Sequence, residues 1–200
     1  SDLYDSIVLK DIISRYKIQN VALLSKIIDY LSINMSQIFS GKSIANFLKS
    51  ENRECSKESL YNYLLFICSS CIADKVPRYD IQGKKVLSTF DKYYLADVSL
   101  ARIHSVKIDI GASLENIVYN ELKCRGYEVY IGALKNAEID FVAQKGNEKL
   151  YFQVCYLLAD GATVEREFGA YKNVKDNFPK YVLSADKFDF SQDGIIHKNI

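Results

Sequence analysis

Proline and glycine are scarce in this sequence, with two and nine residues among 200, which excludes a collagen-like chain and leaves little material for a flexible linker. The sequence also lacks an apolar run near the roughly 20 residues that a membrane-spanning helix needs. Its first residues lack the basic and apolar segments of a secretory signal. Five cysteines without framework spacing are typical of a reducing compartment. These absences predict a globular cytoplasmic protein with no membrane partner.

Neither half of the sequence has enough charge of one sign to indicate a nucleic-acid-binding protein by itself. Residues 1–107 carry 15 Lys and Arg against 11 Asp and Glu, a balance of +4. Residues 108–200 carry 11 against 14, a balance of −3. This negative balance counts against tight DNA binding by the second half.

The first half is predicted to be helical and then to change its period. A connector helix is expected in residues 1–18, and its abrupt start suggests that the chain begins partway through a larger protein. Three helices follow, with Asn20 and Ser56 as expected N-caps. Two strands, 76–81 and 85–90, are predicted to form a hairpin around Gln82-Gly83. Three helices followed by a hairpin predict a winged-helix domain over residues 19–107.

Four residues of this winged helix are candidates for nucleic-acid binding. Lys57 and Asn62 would be exposed on the third helix, and Lys84 and Lys85 would lie at the tip of the hairpin. Lys57 stands beside Glu58, which is a poor phosphate-binding arrangement. A packing module that joins neighbouring domains therefore remains open as an alternative to DNA contact.

Two short motifs in this half favour structural interpretations. Ser40-Gly41-Lys42-Ser43 is similar to the end of a P-loop, but the required upstream glycine is replaced by Ser36, so a helix N-cap is predicted. Cys68 and Cys71 have zinc-like spacing without a second pair, and both are expected to pack in the core on one helix stripe.

The second half is predicted to begin with a helix at 112–125, followed by strands at 127–134, 137–144 and 149–156. A later helix at 163–174 and strands at 180–184 and 194–200 predict an α/β sheet of four or five strands. Residues two apart in a strand face the same way. The helix is therefore expected to bring its glutamate over polar residues of the second and third strands; the candidates are Glu115, Asp140, Gln153 and Cys155. The fold class predicted for the whole chain is α+β.

The strings GASLEN (111–116), EIDFV (138–142) and YFQVCY (151–156) resemble the PD-(D/E)XK nuclease superfamily. Nearly all 200 residues resemble the C-terminal region of bacterial and archaeal AAA-type ATPases, in which a P-loop domain precedes a winged helix and a nuclease-like domain, largely of unknown function. The resemblance implies domains at 19–107 and 108–200. It also implies an upstream ATPase domain of the same chain as partner, ATP bound only there, and a homo-oligomer as one arrangement.

Carried onto this sequence, the resemblance assigns Glu115 as the helix carboxylate and Asp140 as the metal-binding aspartate, both tentative Mg²⁺ ligands. Gln153 stands where a second acidic residue is expected, and Cys155 stands where a lysine is expected. An amide is a weaker Mg²⁺ ligand than a carboxylate, and a cysteine supplies no permanent positive charge. Losing both leaves the formal charge of the site unchanged.

These substitutions favour a degenerate, non-catalytic module that serves assembly or nucleic-acid engagement. One alternative is a Mg²⁺-dependent nuclease acting on DNA, with Lys135 or Arg166 supplying the missing charge. A second alternative is a winged-helix DNA-binding regulator.

Overall fold

The computed structural model describes residues 10–104, 109–135 and 137–200, and it has the α+β fold that the sequence predicts. The chain divides into two compact units. The first contains the residues up to Lys75 together with 93–108, and the second contains Val76–Lys92 together with 109–200. Of the predicted connector helix, residues 1–9 lie outside the described part.

The described part of the first unit contains five helices: α1 (Lys10–Tyr16), α2 (Val21–Ile33), α3 (Gly41–Ser50), α4 (Lys57–Ser69) and α5 (Ser99–His104). Two predicted caps are confirmed. Oδ1 of Asn20 accepts the N–H of Leu23 at 3.0 Å, and Oγ of Ser56 accepts that of Ser59 at 3.1 Å. Apolar residues at helical spacing form the buried core: Leu24, Ile27, Ile28, Leu31, Ile44, Leu48, Leu60, Leu64 and Ile67.

The two short motifs of this unit have different outcomes. Ser40 caps α3 by accepting the N–H of Ser43 at 3.3 Å, which confirms the N-cap interpretation. Cys68 is half-buried near the end of α4, and burial raises the pKa of its thiol to about 11. Cys71 lies beyond the helix and is exposed, so its predicted place in the core was wrong. The stripe of α4 ends because the helix itself ends at Ser69.

The second unit contains a mixed sheet, flanked by α6 (Ile110–Cys124) and α7 (Gly161–Gly169), the latter continued by a 3₁₀ turn at Ala170–Asn173. Seven strands are found among its described residues: five lie in 109–200, where four or five were predicted, and two lie in the hairpin of residues 76–92. They are β2 (Arg78–Asp80), β3 (Lys85–Val86), β5 (Glu128–Ala133), β6 (Glu138–Lys145), β7 (Glu148–Val154), β8 (Lys180–Ser184) and β9 (Ile196–Asn199). Their order is β3-β2-β5-β6-β7-β8-β9. The central β5-β6-β7 meander is antiparallel, whereas β2 on β5, β8 on β7 and β9 on β8 are parallel.

The predicted hairpin forms, but it does not belong to the helical unit. Strands β2 and β3 pair antiparallel, and β2 also pairs in parallel with β5, with Tyr79 opposite Gly132. The physical reason is Ile81, which is buried in the core of the second unit. The residues after the hairpin form a separate strand, β4 (Lys92–Leu95), which pairs with β1 (Ala73–Val76). Residues 76–92 therefore depart from the predicted 19–107 domain.

Gly132 provides a test of how closely the hairpin packs on β5. A Cβ at this position would lie 2.8 Å from Cβ of Ile139 and 2.9 Å from Cδ1 of Ile81. We expect Gly132→Ala to lower the free energy of unfolding by about 1–3 kcal/mol, because a packed core does not accept an added methyl group without strain. Urea unfolding followed by circular dichroism measures the change. Gly161→Ala, where nothing lies within 4 Å of the added Cβ, should change stability by less than about 0.5 kcal/mol. Equal changes in the two variants would contradict this packing.

Candidate functional site

A pocket of about 580 Å³ opens in the second unit where two helices meet the sheet. Glu115 from α6, Asp140 from β6, Gln153 from β7 and Glu167 from α7 all line it. Helix α6 begins at its N-cap Asp109, whose carboxylate accepts the N–H of the third helical residue. The antiparallel register of β6 and β7 makes Asp140 and Gln153 neighbours, and the backbone N–H of Asp140 donates to Oε1 of Gln153 at 2.7 Å. The structure thus brings three of the four predicted residues together.

Lys92, like Glu167, is a residue of this site that the sequence reasoning missed. Its side chain is buried, with 4% of the residue exposed, and its Nζ lies 3.1 Å from Oε1 of Glu115 and 2.6 Å from Oε1 of Glu138. Burial alone would lower the pKa of Lys92. The carboxylates of Glu115, Glu138 and Asp140 outweigh that effect and hold the pKa above its usual value. Lys92 is therefore a charged ammonium among carboxylates.

The carboxylate of Asp140 is held by the backbone beside it. Its Oδ2 accepts the N–H of Val154 at 2.8 Å. Burial raises the pKa of Asp140 well above its usual value, and the nearby Glu115 raises it further, against the opposing effects of Lys92 and the Val154 N–H. Asp140 therefore lies where a negative charge is costly.

Gln153 uses both ends of its amide. Oε1 accepts from Asp140, and Nε2 donates to Oε2 of Glu167 at 3.1 Å. Oε1 of Glu167 in turn accepts from Nε and Nη2 of Arg166 at 2.9 and 2.7 Å. The hydrogen bond from Arg166 to Glu167 raises the pKa of the arginine. A carboxylate in place of Gln153 could not donate to Glu167, so the amide fits this network chemically.

Cys155, the fourth predicted residue, is not among the residues that line the pocket. It follows the end of β7 and packs in the hydrophobic core with Leu158 and Phe168. Burial raises the pKa of its thiol to about 12, which leaves it a neutral core side chain at physiological pH. Strand β7 ends at Val154, one residue before Cys155 and two residues before the predicted end of this strand. Lys135, one proposed source of replacement charge, is exposed beyond β5.

Three oxygen atoms of the pocket that could bind Mg²⁺ already accept hydrogen bonds in this arrangement. Mg²⁺ requires oxygen ligands in near-octahedral geometry. Oε1 of Glu115 is bound by Lys92, Oδ2 of Asp140 by a backbone N–H, and Oε1 of Gln153 by another. Within residues 10–104, 109–135 and 137–200, no group of three or more His, Cys, Asp and Glu side chains is arranged to hold a metal ion.

The four residues predicted to bind nucleic acid are divided between the two units. Lys57 and Asn62 are exposed on α4 of the first unit, whereas Lys84 and Lys85 are exposed at the β2–β3 turn of the second. They therefore do not belong to one winged-helix domain.

None of the helices in the described residues has the length and apolar composition to cross a membrane.

Two relatives resemble nearly the whole chain. An uncharacterized protein of Haemophilus influenzae is 34% identical over 198 residues, which are 98% of this chain and 49% of the relative. Uncharacterized protein MJ1544 of Methanocaldococcus jannaschii is 32% identical over 178 residues, which are 86% of this chain and 39% of the relative. The chain thus spans half or less of the length of each. A family model described as "Domain of unknown function (DUF8612)" matches residues 1–109, more than half of the chain, and the protein belongs to that family.

Proposed function

We propose that the second unit is a PD-(D/E)XK-like module without nuclease activity, and that the chain is the C-terminal region of an AAA-type ATPase. In this proposal the module serves assembly or nucleic-acid engagement. The succession α6-β5-β6-β7-α7-β8, with carboxylates on α6 and β6, supports the nuclease-like assignment. The capped helices α2, α3 and α4 support a winged-helix-like first unit, although the β2–β3 hairpin belongs to the second unit.

The observation that carries the proposal is the position of the Lys92 ammonium. Its Nζ bridges Glu115 and Glu138, one of which lies on the helix that would supply a metal ligand. A monovalent cation fixed covalently to the chain neutralises carboxylates that would otherwise repel one another without a divalent ion. Lys92 therefore stabilises the pocket in a metal-free form. Gln153, which stands where the motif has an acidic residue, also fits this form because its amide donates a hydrogen bond to Glu167.

The ATPase assignment depends on the resemblance and on length. Half of the Haemophilus influenzae relative lies outside the region matched here, which is sufficient for a further domain of ordinary size. The P-loop-like string at Ser40–Ser43 caps a helix instead of following a strand. ATP would consequently bind in another domain of the full protein.

A second candidate function is a Mg²⁺-dependent nuclease with relocated side chains. One specific observation favours it: the pocket contains a carboxylate and a lysine that do not come from β7. Glu167 lines the pocket beside Gln153, and Lys92 contacts Glu115, another residue that lines it. The acidic residue and the lysine absent from β7 would then be supplied by α7 and β4. Lys92 and Arg166 would have to release their carboxylates before a metal could bind.

Calorimetric titration of Mg²⁺ and Mn²⁺ into the protein, with parallel incubation on single-stranded, duplex and branched DNA, separates the two candidates. We expect no saturable metal binding and no cleavage, with Asp140→Ala indistinguishable from the parent protein in both assays. Metal binding and cleavage that disappear in Asp140→Ala and Glu167→Gln would establish the nuclease instead. Glu121→Gln, which changes an exposed carboxylate of α6 that does not line the pocket, is the matched control.

A further inference from the structure

A second group of side chains in this unit combines aromatic rings with lysines. Nζ of Lys149 lies 5.1 Å from the ring centroid of Tyr79, 5.3 Å from that of Phe178 and 5.8 Å from that of Tyr151. Nζ of Lys180 lies 5.9 Å from the Tyr151 centroid. Phe178 is 39% exposed, so its ring is open to a ligand. These contacts place the exposed Phe178 ring beside the ammonium group of Lys149, and the ammonium group of Lys180 beside the buried ring of Tyr151.

Two more lysines adjoin this group. Lys84 and Lys175 line a neighbouring pocket of about 460 Å³ together with Asp176. Asp176 connects the two groups, because its Oδ2 accepts the hydroxyl of Tyr151 at 2.6 Å and its Oδ1 lies 4.0 Å from Nζ of Lys180. We define the aromatic–lysine surface by six residues: Tyr79, Lys84, Lys149, Lys175, Phe178 and Lys180.

The charge of this surface favours an anionic ligand although the whole unit is not basic. It carries four lysines. Three acidic residues lie near it, fewer than its lysines: Asp176 has the contacts described above, Glu128 accepts the hydroxyl of Tyr130 at 3.2 Å, and Asp80 accepts two backbone N–H groups of the β2–β3 turn. Lysines that alternate with ring faces suit a ligand that carries phosphates and flat bases together.

We propose that the aromatic–lysine surface binds single-stranded nucleic acid. A base would stack on the exposed face of Phe178, and Lys84 and Lys175 would contact the phosphates of the adjoining nucleotides. A duplex keeps its base faces stacked internally and could use only the lysines, so the surface favours unpaired strands. This inference deepens the nucleic-acid engagement proposed above, and it does not involve the carboxylate pocket.

Fluorescence anisotropy with oligonucleotides of about 12 residues, in EDTA at low salt, tests the inference. The probes are oligo-dT, oligo-U, a duplex and an abasic strand of equal length. We expect oligo-dT or oligo-U to bind more tightly than the abasic strand and the duplex. Phe178→Ala should weaken binding of the base-containing strand about 5- to 150-fold, the range for loss of one stacking ring, and leave the abasic strand unchanged. Phe188→Ala, which removes a ring that is 80% exposed elsewhere, should have no effect.

The lysines have a separate readout. Each of Lys84→Gln and Lys175→Gln should reduce the slope of log affinity against log salt by about 0.7, whereas Lys187→Gln, another exposed lysine, should not. Equal affinity for the abasic strand would assign the surface to acidic polymers in general and overturn the proposal. Absence of binding, or equal losses in Phe178→Ala and Phe188→Ala, would also overturn it. EDTA prevents metal-dependent cleavage in this binding assay. A nuclease activity, which would overturn the non-catalytic assignment, would therefore be detected only in the metal titration and DNA incubation described above.

Discussion

Lys92→Met is expected to destabilise the second unit by about 3–5 kcal/mol at pH 7, the usual cost of removing one partner from a buried ion pair. Methionine keeps the length of the side chain but leaves Glu115 and Glu138 without the ammonium that contacts both. It also removes the positive charge that lowers the pKa of Asp140. Urea unfolding of the parent and the variant, followed by circular dichroism, measures the difference.

The pH dependence of this loss has a definite sign. In the variant, the pKa of Asp140 in the folded state should rise further above its value of about 3.9 in the unfolded chain. A carboxyl group with a raised folded pKa contributes stability at low pH that is lost as the pH rises through that pKa. The difference between parent and variant should consequently shrink as the pH falls from 7 towards 4. In the parent, the raised pKa of Lys92 keeps the ion pairs intact beyond the usual lysine pKa of about 10.4.

Lys172→Met is the matched control for this prediction. Lys172 also pairs with a glutamate, Glu165, at 3.1 Å, but both side chains are largely exposed. Exposed pairs contribute about 0–1 kcal/mol, so the control should be nearly neutral at every pH. A similar small effect at Lys92, or a loss that does not change with pH, would contradict the role given to its ammonium.

Gln153→Glu should destabilise the protein by about 2–4 kcal/mol at neutral pH, although it restores the acidic residue that the nuclease motif calls for. The amide of Gln153 donates to Glu167 at 3.1 Å, and an ionised glutamate side chain in its place would put two carboxylates at that separation. The side chain is buried, so water cannot screen the repulsion. Acidification should relieve the loss by protonating one of the two groups.

Chemical denaturation with and without Mg²⁺ distinguishes a purely structural effect from a recoverable metal site. We expect Gln153→Glu to have a lower free energy of unfolding than the parent protein. Mg²⁺ should raise the stability of the variant alone, because it would bind to a site that the added carboxylate creates. Gln144→Glu is the control, since it makes the same change at a half-buried position of β6 away from Glu167. A neutral Gln153→Glu would show that the hydrogen bond to Glu167 is unimportant.

Local sequence patterns were sufficient to predict most helices and the central strands, because caps and periodicity act over a few residues. Asn20, Ser56 and the alternation through Ile139 and Phe141 are of this kind. The approach of Glu115 to Asp140 also follows from such local elements, once α6 packs on the meander. The end of β7 was predicted two residues too late, at 156 instead of Val154, because local patterns locate the end of a strand less well than its centre.

The roles of Lys92 and Glu167 depend on pairings between distant segments, and no local pattern indicates them. Lys92 is 23 residues from Glu115 and 46 from Glu138, and it reaches them only because the hairpin joins the sheet beside β5. The one available signal was a lysine directly before the apolar run Tyr93–Leu95, a position where an unpaired charge is costly. Glu167 likewise lies on helix α7, whereas the nuclease motif predicts the second acidic residue on strand β7.

The backbone passes between the two units three times, at 75–76, 92–93 and 108–109. A recombination event with one crossover at residue 109 would therefore not transfer a whole domain. It would separate β5, Glu115 and Glu138 from β2, β3 and Lys92, which are encoded upstream within the family match. Transfer of either unit on its own would require cuts at all three of these points, with residue 75 rejoined to 93 for the first unit or residue 92 rejoined to 109 for the second. A single crossover therefore cannot exchange either unit intact.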